Sequence, residues 1–183
     1  TDVAGREITL DGPAERVIFG EGRQIYLLGL LEPEAPFAHV VGWREDFSQA
    51  DPDNYARYAE RFPEIEAIPT FGGFKDGTFD VEQAASLNPD VVLMNIEAKA
   101  ATEDAAYDDK LAQLGIPIVY VDFREDPIEH TIPSMRIIGQ IMDDEEAAEE
   151  FIEFAETQLA RVTDVIAEAN PERPSVFIDR AGG

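Results

Sequence analysis

The chain has 183 residues, 44% of them hydrophobic, with regular Pro and Gly punctuation, enough to bury one core in a single globular domain. Its 39 acidic and 14 basic residues give a net charge of −25, which repels nucleic acid and anionic membrane surfaces. Cysteine is absent and histidine occurs only as His39 and His130, which excludes disulfides, thiolate metal sites and thiol nucleophiles and argues against a polyhistidine centre.

Short β-branched or apolar runs alternate with helical patterns along the chain. DVAGREITL lacks the basic and apolar segments of a signal peptide, so an exported protein is expected here in its mature form. VAGREITL (3–10) reads as a small hairpin turning at Ala4-Gly5. Strands are expected at RVIF (16–19), HVVGW (39–43), VVLMN (91–95), IVYVDF (118–123) and SVFID (175–179). These runs are nearly continuous in apolar residues, as parallel strands covered on both faces require. Helical patterns lie at about 23–31, 53–62, 80–87, 103–114 and 134–142. The alternation predicts an α/β fold: a mostly parallel, Rossmann-like sheet flanked by helices and joined by right-handed crossovers.

Residues 143–169 predict one long final helix. Ala148, Phe151, Ala155, Leu159, Val162 and Ile166 form an apolar stripe, and Glu149, Glu150, Glu153 and Glu156 take the other side. At 1.5 Å per residue this is a rod of about 40 Å, longer than a single small sheet requires. NPERP (170–174) breaks it, and SVFID then opens either a second lobe or a final edge strand. The expected division is a lobe over 1–142, a connecting helix over 143–169, and the start of a second lobe over 170–183. No apolar run approaches the roughly 18–20 residues of a membrane span.

In open α/β sheets ligands bind beyond the carboxyl ends of the strands. Read there, the chain offers Glu21 and Arg23 after the first strand, and Trp43 and Arg44 after the second. Phe71 and Phe74 follow in PTFGGFKDG, then Asn95, Phe123 and Arg124. These nine are the candidate ligand contacts. Arginine forks pair with carboxylates and other oxyanions, and aromatic faces grip flat or apolar bodies. The alternative is that each arginine pairs with a neighbouring acid such as Glu21, Glu45 or Glu125. GEGR (20–23) resembles a phosphate loop in its setting, but G-x-G-x-x-G fails at Ile25 and no G-K-[ST] follows. Neither G-x-S-x-G nor H-E-x-x-H occurs, so no catalytic residue and no metal ligand is assigned. His39, ahead of a strand, reads as packed or solvent-facing, and His130, ahead of a helix, as structural. The acidic, lysine-poor composition (Lys75, Lys99 and Lys110 only) fits either a salt-tolerant source or ordinary acidic solubility.

The order of segments resembles a known family. DxxGRxxxL, P-x-RVI and VVGW are followed by FDVEQAASLNPDVVLM, LAQLGIPIVYVD and MRIIGQIMDDEEAAEEFIEFAETQLARV. Together they are similar to the substrate-binding proteins of ABC importers for ferric siderophores, haem and cobalamin, over essentially the whole chain. DVEQAASLNPDVVLM is the most specific piece. The resemblance implies one α/β lobe of a bilobal protein plus the helix that joins the lobes. It implies that Glu82 lies on the outer surface and docks against arginines of the permease. Asp80, where the family often has Asn, suits a helix N-cap. The resemblance further implies a periplasmic, monomeric, non-enzymatic protein without a resident cofactor, whose ligand sits between lobes and brings its own iron. An anionic, partly aromatic ligand such as a ferric catecholate or carboxylate siderophore would suit Arg23, Arg44 and Arg124 with Trp43, Phe71 and Phe123 best, then haem, then cobalamin. Two readings from other classes stand beside it: a chelatase-like metal enzyme, which would need a cleft His or Cys, and a one-lobe interaction module.

Overall fold

Period-two alternation decides which side of the sheet each strand residue covers. In β1 (Val17–Phe19), Val17 and Phe19 enter one hydrophobic layer and Ile18 the opposite one. β4 (Val91–Asn95) repeats this, with Val91 and Leu93 against Val92 and Met94, and β5 (Ile118–Val121) sets Val119 and Val121 against Ile118 and Tyr120. All of these side chains are buried. Double-sided burial is why the runs read as continuously apolar. The structure, a computed structural model, describes residues 1–177. With β2 (Val40–Arg44) and β3 (Thr70–Phe71), the strands form one parallel sheet in the order β3-β2-β1-β4-β5.

Helices cover both faces. α1 (Ile25–Leu31), α2 (Asp46–Ala50), α3 (Pro52–Arg61), α7 (Pro127–Met142) and α8 (Glu145–Ala169) lie on the Val17–Phe19 side. α4 (Val81–Ser86), α5 (Lys99–Asp104) and α6 (Tyr107–Gln113) lie on the Ile18 side. This is the expected mostly parallel α/β lobe. α7 and α8 approach closely at Gly139, where an added Cβ would come within 2.5 Å of Ala148 Cβ.

Several expectations change in detail. The 3–10 hairpin does not form; Asp2 instead caps a turn, accepting from the Ala4 and Arg6 amides at 3.0 Å each and from the Arg6 guanidinium. A buried carboxylate wrapped by local donors replaces strand pairing there. β3, only two residues long, went unread because so short a strand has no periodicity. α7 starts seven residues before the expected 134, with Pro127 in its first turn and Asp126 accepting from the Glu129 amide. Pro133 inside it lacks an N–H, and that made the earlier turns read as non-helical. Phe123 lies beyond β5, in the loop, because Asp122 turns the chain. Residues 175–177 carry no strand, and the rest of the expected SVFID strand lies outside the described residues.

α8 is a 25-residue helix, about 37 Å long. Ala148 and Ile152 are buried against α7 and α1. Farther along, the stripe is open: Leu159, Val162 and Ile166 are 37%, 57% and 54% exposed. The helix outruns the sheet it packs on.

Candidate functional site

The strand order reverses at β1, which sends one crossover to β2 and is flanked on its other side by β4. Such a switch point leaves a crevice at the carboxyl edge. An open depression of about 430 Å³ lies there, lined by Glu21, Arg23, Gln24, Tyr26, Leu27, Asp51, Asn95, Phe123 and Arg124. Residues after β1, β4 and β5 thus meet at one place. A second depression, of about 390 Å³, lies between the N-terminal segment and α7 and has no cationic side chain in its lining. The switch-point depression is the candidate ligand site, within the size range of small-molecule pockets.

A glycine lets the chain turn tightly beside it. After β1 the chain passes through a 3-10 turn at Gly22–Gln24 into α1. A Cβ on Gly22 would stand 2.5 Å from the Arg44 carbonyl and 3.0 Å from Phe47 Cβ. The Gly22 amide donates to Asp46 Oδ1 at 2.8 Å. GEGR therefore binds a side-chain carboxylate of α2 with its backbone, not a phosphate.

Glu21 is the hub. Its residue is only 6% exposed, yet its carboxylate meets three donors. Arg124 Nη1 donates to Oε1 and Oε2 at 3.2 and 3.1 Å. Arg23 Nη2 and Asn95 Nδ2 contact it closely as well. Gln24 braces the hub by accepting from the Glu21 amide at 3.2 Å and donating to Asn95 Oδ1 at 3.2 Å. Arg23 Nε reaches Asp46 Oδ2 at 3.2 Å. Arg124 reaches Glu97 at 3.2 Å, and Lys75 reaches the same carboxylate at 3.4 Å. Burial lowers the Arg124 pKa, but Glu21 and Glu97 more than offset this and leave it raised. The two guanidiniums are permanently charged and already paired.

A second capping carboxylate shapes the far wall. Asp122 is 1% exposed. Its Oδ1 accepts from the Arg124 and Glu125 amides at 2.9 Å each, and its Oδ2 accepts from the Asp126 amide at 3.0 Å. His130 Nδ1 lies 2.7 Å from Oδ2. Burial pushes the Asp122 carboxyl up, but these donors outweigh it and hold the pKa down at about 2. They fix the turn that carries Phe123 and Arg124 to the site. On the opposite wall Tyr26 Oη donates to Asp51 Oδ2 at 2.5 Å, and burial together with that bond raises the phenol to about 12.

Five of the nine candidate contacts therefore line the depression: Glu21, Arg23, Asn95, Phe123 and Arg124. The other four do not. Trp43, Phe71 and Phe74 are 2–3% exposed and belong to the core. Trp43 packs edge-on against Phe37 and Phe47, and Phe74 stacks on Phe79 at 3.9 Å between ring centres. Continuous apolar strands take adjacent aromatics inward with them. Arg44 borders a crevice of about 20 Å³ with Phe74, Lys75 and Glu97, too narrow for a chelate. The arginine–acid alternative holds for Arg23 and Arg124, through Glu21, Asp46 and Glu97 and not through Glu45 or Glu125. Gln24, Tyr26, Leu27 and Asp51 were missed. Gln24 and Tyr26 lie on the helical turn directly after the first strand, which was the available signal. Asp51 gave none. His130 is tied to Asp122 and does not line the depression. Glu82 is exposed in the first turn of α4, behind the Asp80 N-cap, which accepts from the Gln83 amide at 2.9 Å.

Residues 42–183 match the family described as periplasmic binding protein. Among solved structures, the TroA-like periplasmic binding protein FepB from Veillonella parvula superimposes with a TM-score of 0.87 at 30% identity, covering 95% of this chain and 50% of that one. The periplasmic binding protein MolA of Haemophilus influenzae, bound to molybdate, has a TM-score of 0.67 at 18% identity, covering 87% and 51%. SirA of Staphylococcus aureus, complexed with staphyloferrin B, has a TM-score of 0.56 at 17% identity, covering 87% and 48%. The last two share the fold. The chain spans about half the length of these structures. No curated protein matches it in sequence.

Proposed function

Because the chain belongs to the periplasmic binding protein family, we propose that it captures an iron chelate, a ferric siderophore in preference to haem or cobalamin, for an ABC importer. It would act in the periplasm as a monomer and without chemistry of its own, releasing the chelate to a membrane permease. The observation that carries this reading is the open switch-point depression of about 430 Å³, walled by Phe123 and crossed by two guanidiniums. An aromatic wall and fixed hydrogen-bond donors suit a bulky chelate with an oxygen-rich periphery. The chelate carries the iron, so the protein supplies no metal ligand.

A bare oxyanion such as molybdate fits this depression poorly. Such an ion needs uncompensated positive charge converging on a small seat, and the charges of Arg23 and Arg124 are already offset by Glu21, Asp46 and Glu97. In this proposal α8 is the rod joining two lobes, and the ligand is captured between them by a small closure about that helix. Glu82, exposed on α4, is the surface acid offered to the permease.

Calorimetric titration with ferric siderophores, haem, cobalamin and molybdate tests the reading. We expect saturable binding of an iron chelate, weakened about tenfold or more by Phe123→Ala. Saturation by molybdate, with no heat from any chelate, would overturn it. Glu82→Arg should leave chelate affinity unchanged and reduce uptake through the permease; unchanged uptake would remove Glu82 from the docking surface.

A further inference from the structure

We propose that Glu21 sets the charge of the ligand this pocket accepts. Its carboxylate occupies the seat between Arg23 and Arg124 that an anionic ligand group would otherwise take, so the pocket favours a chelate of low net charge. The inference rests on the proposed function only in taking the switch-point depression as the ligand seat.

Two guanidiniums and a side-chain amide converging on one point form an anion site by their chemistry. Here that point is filled from within. Glu21 meets Arg124 Nη1 at 3.1 and 3.2 Å, and Arg23 Nη2 and Asn95 Nδ2 close in on it. The Glu21 side chain is 8% exposed, whereas those of Arg23 and Arg124 are 37% and 45% exposed. The acid is thus underneath and the cations are above it, toward the depression. Displacing Glu21 would strand a buried carboxylate without its partners, which is strongly unfavourable. The carboxylate stays.

The charge balance follows. Among the pocket-lining residues, Arg23 and Arg124 are offset by Glu21 and Asp51. Asp46 and Glu97 add further negative charge directly behind the guanidiniums. A multiply anionic ligand therefore meets a site with no net positive charge. The donors, however, are not exhausted. Arg23 engages Nε and Nη2, and Arg124 engages Nη1. Arg23 Nη1 and Arg124 Nε and Nη2 have no acceptor among the described residues. They are rigidly held hydrogen-bond donors suited to neutral oxygen acceptors such as amide-like carbonyls on a chelate's rim.

The test compares the chain with its Glu21→Gln variant, using free citrate as the anionic probe and a neutral ferric tris(hydroxamate) as the neutral one. Gln keeps the size and one acceptor while removing the charge. We expect Glu21→Gln to bind citrate about tenfold tighter or more. The Arg23 and Arg124 Nε–H resonances should shift on citrate addition in the variant, and the ratio of citrate affinity to neutral-probe affinity should rise about tenfold. Unchanged citrate affinity in the variant, or equal loss for both probes, would overturn the proposal. If the variant fails to fold, the unaltered chain decides: citrate must not shift these two arginine resonances at micromolar concentrations, and tight citrate binding there overturns the inference. A variant that gains citrate binding while neither protein binds any iron chelate would refute the iron-chelate reading and leave the role of Glu21 standing.

Discussion

Replacing Asp122 by Asn should cost the fold a measurable, pH-dependent share of its stability. Asp122 receives three backbone amides and the His130 ring nitrogen, and with 1% exposure it has no water to substitute for them. Burial opposes its ionisation, but the donors hold its pKa at about 2 against an ordinary 3.8. At about 1.36 kcal/mol per unit, that difference is about 2.5 kcal/mol. The sign is fixed: a carboxyl depressed on folding stabilises above its unfolded pKa and stops doing so as pH falls through its folded one. The deficit of Asp122→Asn should therefore be full near pH 7, about half as large near pH 3, about a sixth as large near pH 2, and gone by about pH 1. For a chain of this size it corresponds to a Tm lower by about 5–10 °C near pH 7. Circular dichroism melts of both proteins at several pH values measure it. A Tm unchanged near pH 7, or a deficit as large near pH 3 as near pH 7, would refute the reasoning.

The other expectations are simpler. Gly139→Ala places a Cβ 2.5 Å from Ala148 Cβ at the α7–α8 contact and should destabilise by about 1–3 kcal/mol, read by urea unfolding. Asp2→Ala removes the acceptor for the Ala4, Arg6 and Tyr120 amides and the partner of Arg6; a loss of about 3 kcal/mol is expected by the same measurement. Trp43, the single tryptophan, is 2% exposed, so its fluorescence should be blue-shifted and nearly immune to iodide. Efficient iodide quenching would contradict its place in the core.

The layered α/β lobe is legible in the amino-acid pattern alone. Strands covered on both faces must be apolar throughout, so β1, β2, β4 and β5 announced themselves, and the 3.6-residue stripe of α8 did the same for the long helix. Strand direction alone also points to the carboxyl edge as the candidate site. Which side chains stand at that edge with a face to offer is settled by packing. Trp43, Phe71 and Phe74 have the right chemistry for a ligand and the wrong direction, and direction is a property of packing. β3 is too short to carry a period, and Pro133 hid the first turns of α7. Above all, Glu21 and Arg124 are 103 positions apart. Nothing local marks them as partners; the sheet order brings β1 and β5 to opposite flanks of β4 and lets their loops meet. GEGR by itself suggested a glycine turn for an anion. Across that long-range contact the turn contributes the anion itself, a buried carboxylate between two arginines, because partners are chosen by proximity in space and proximity is what folding creates.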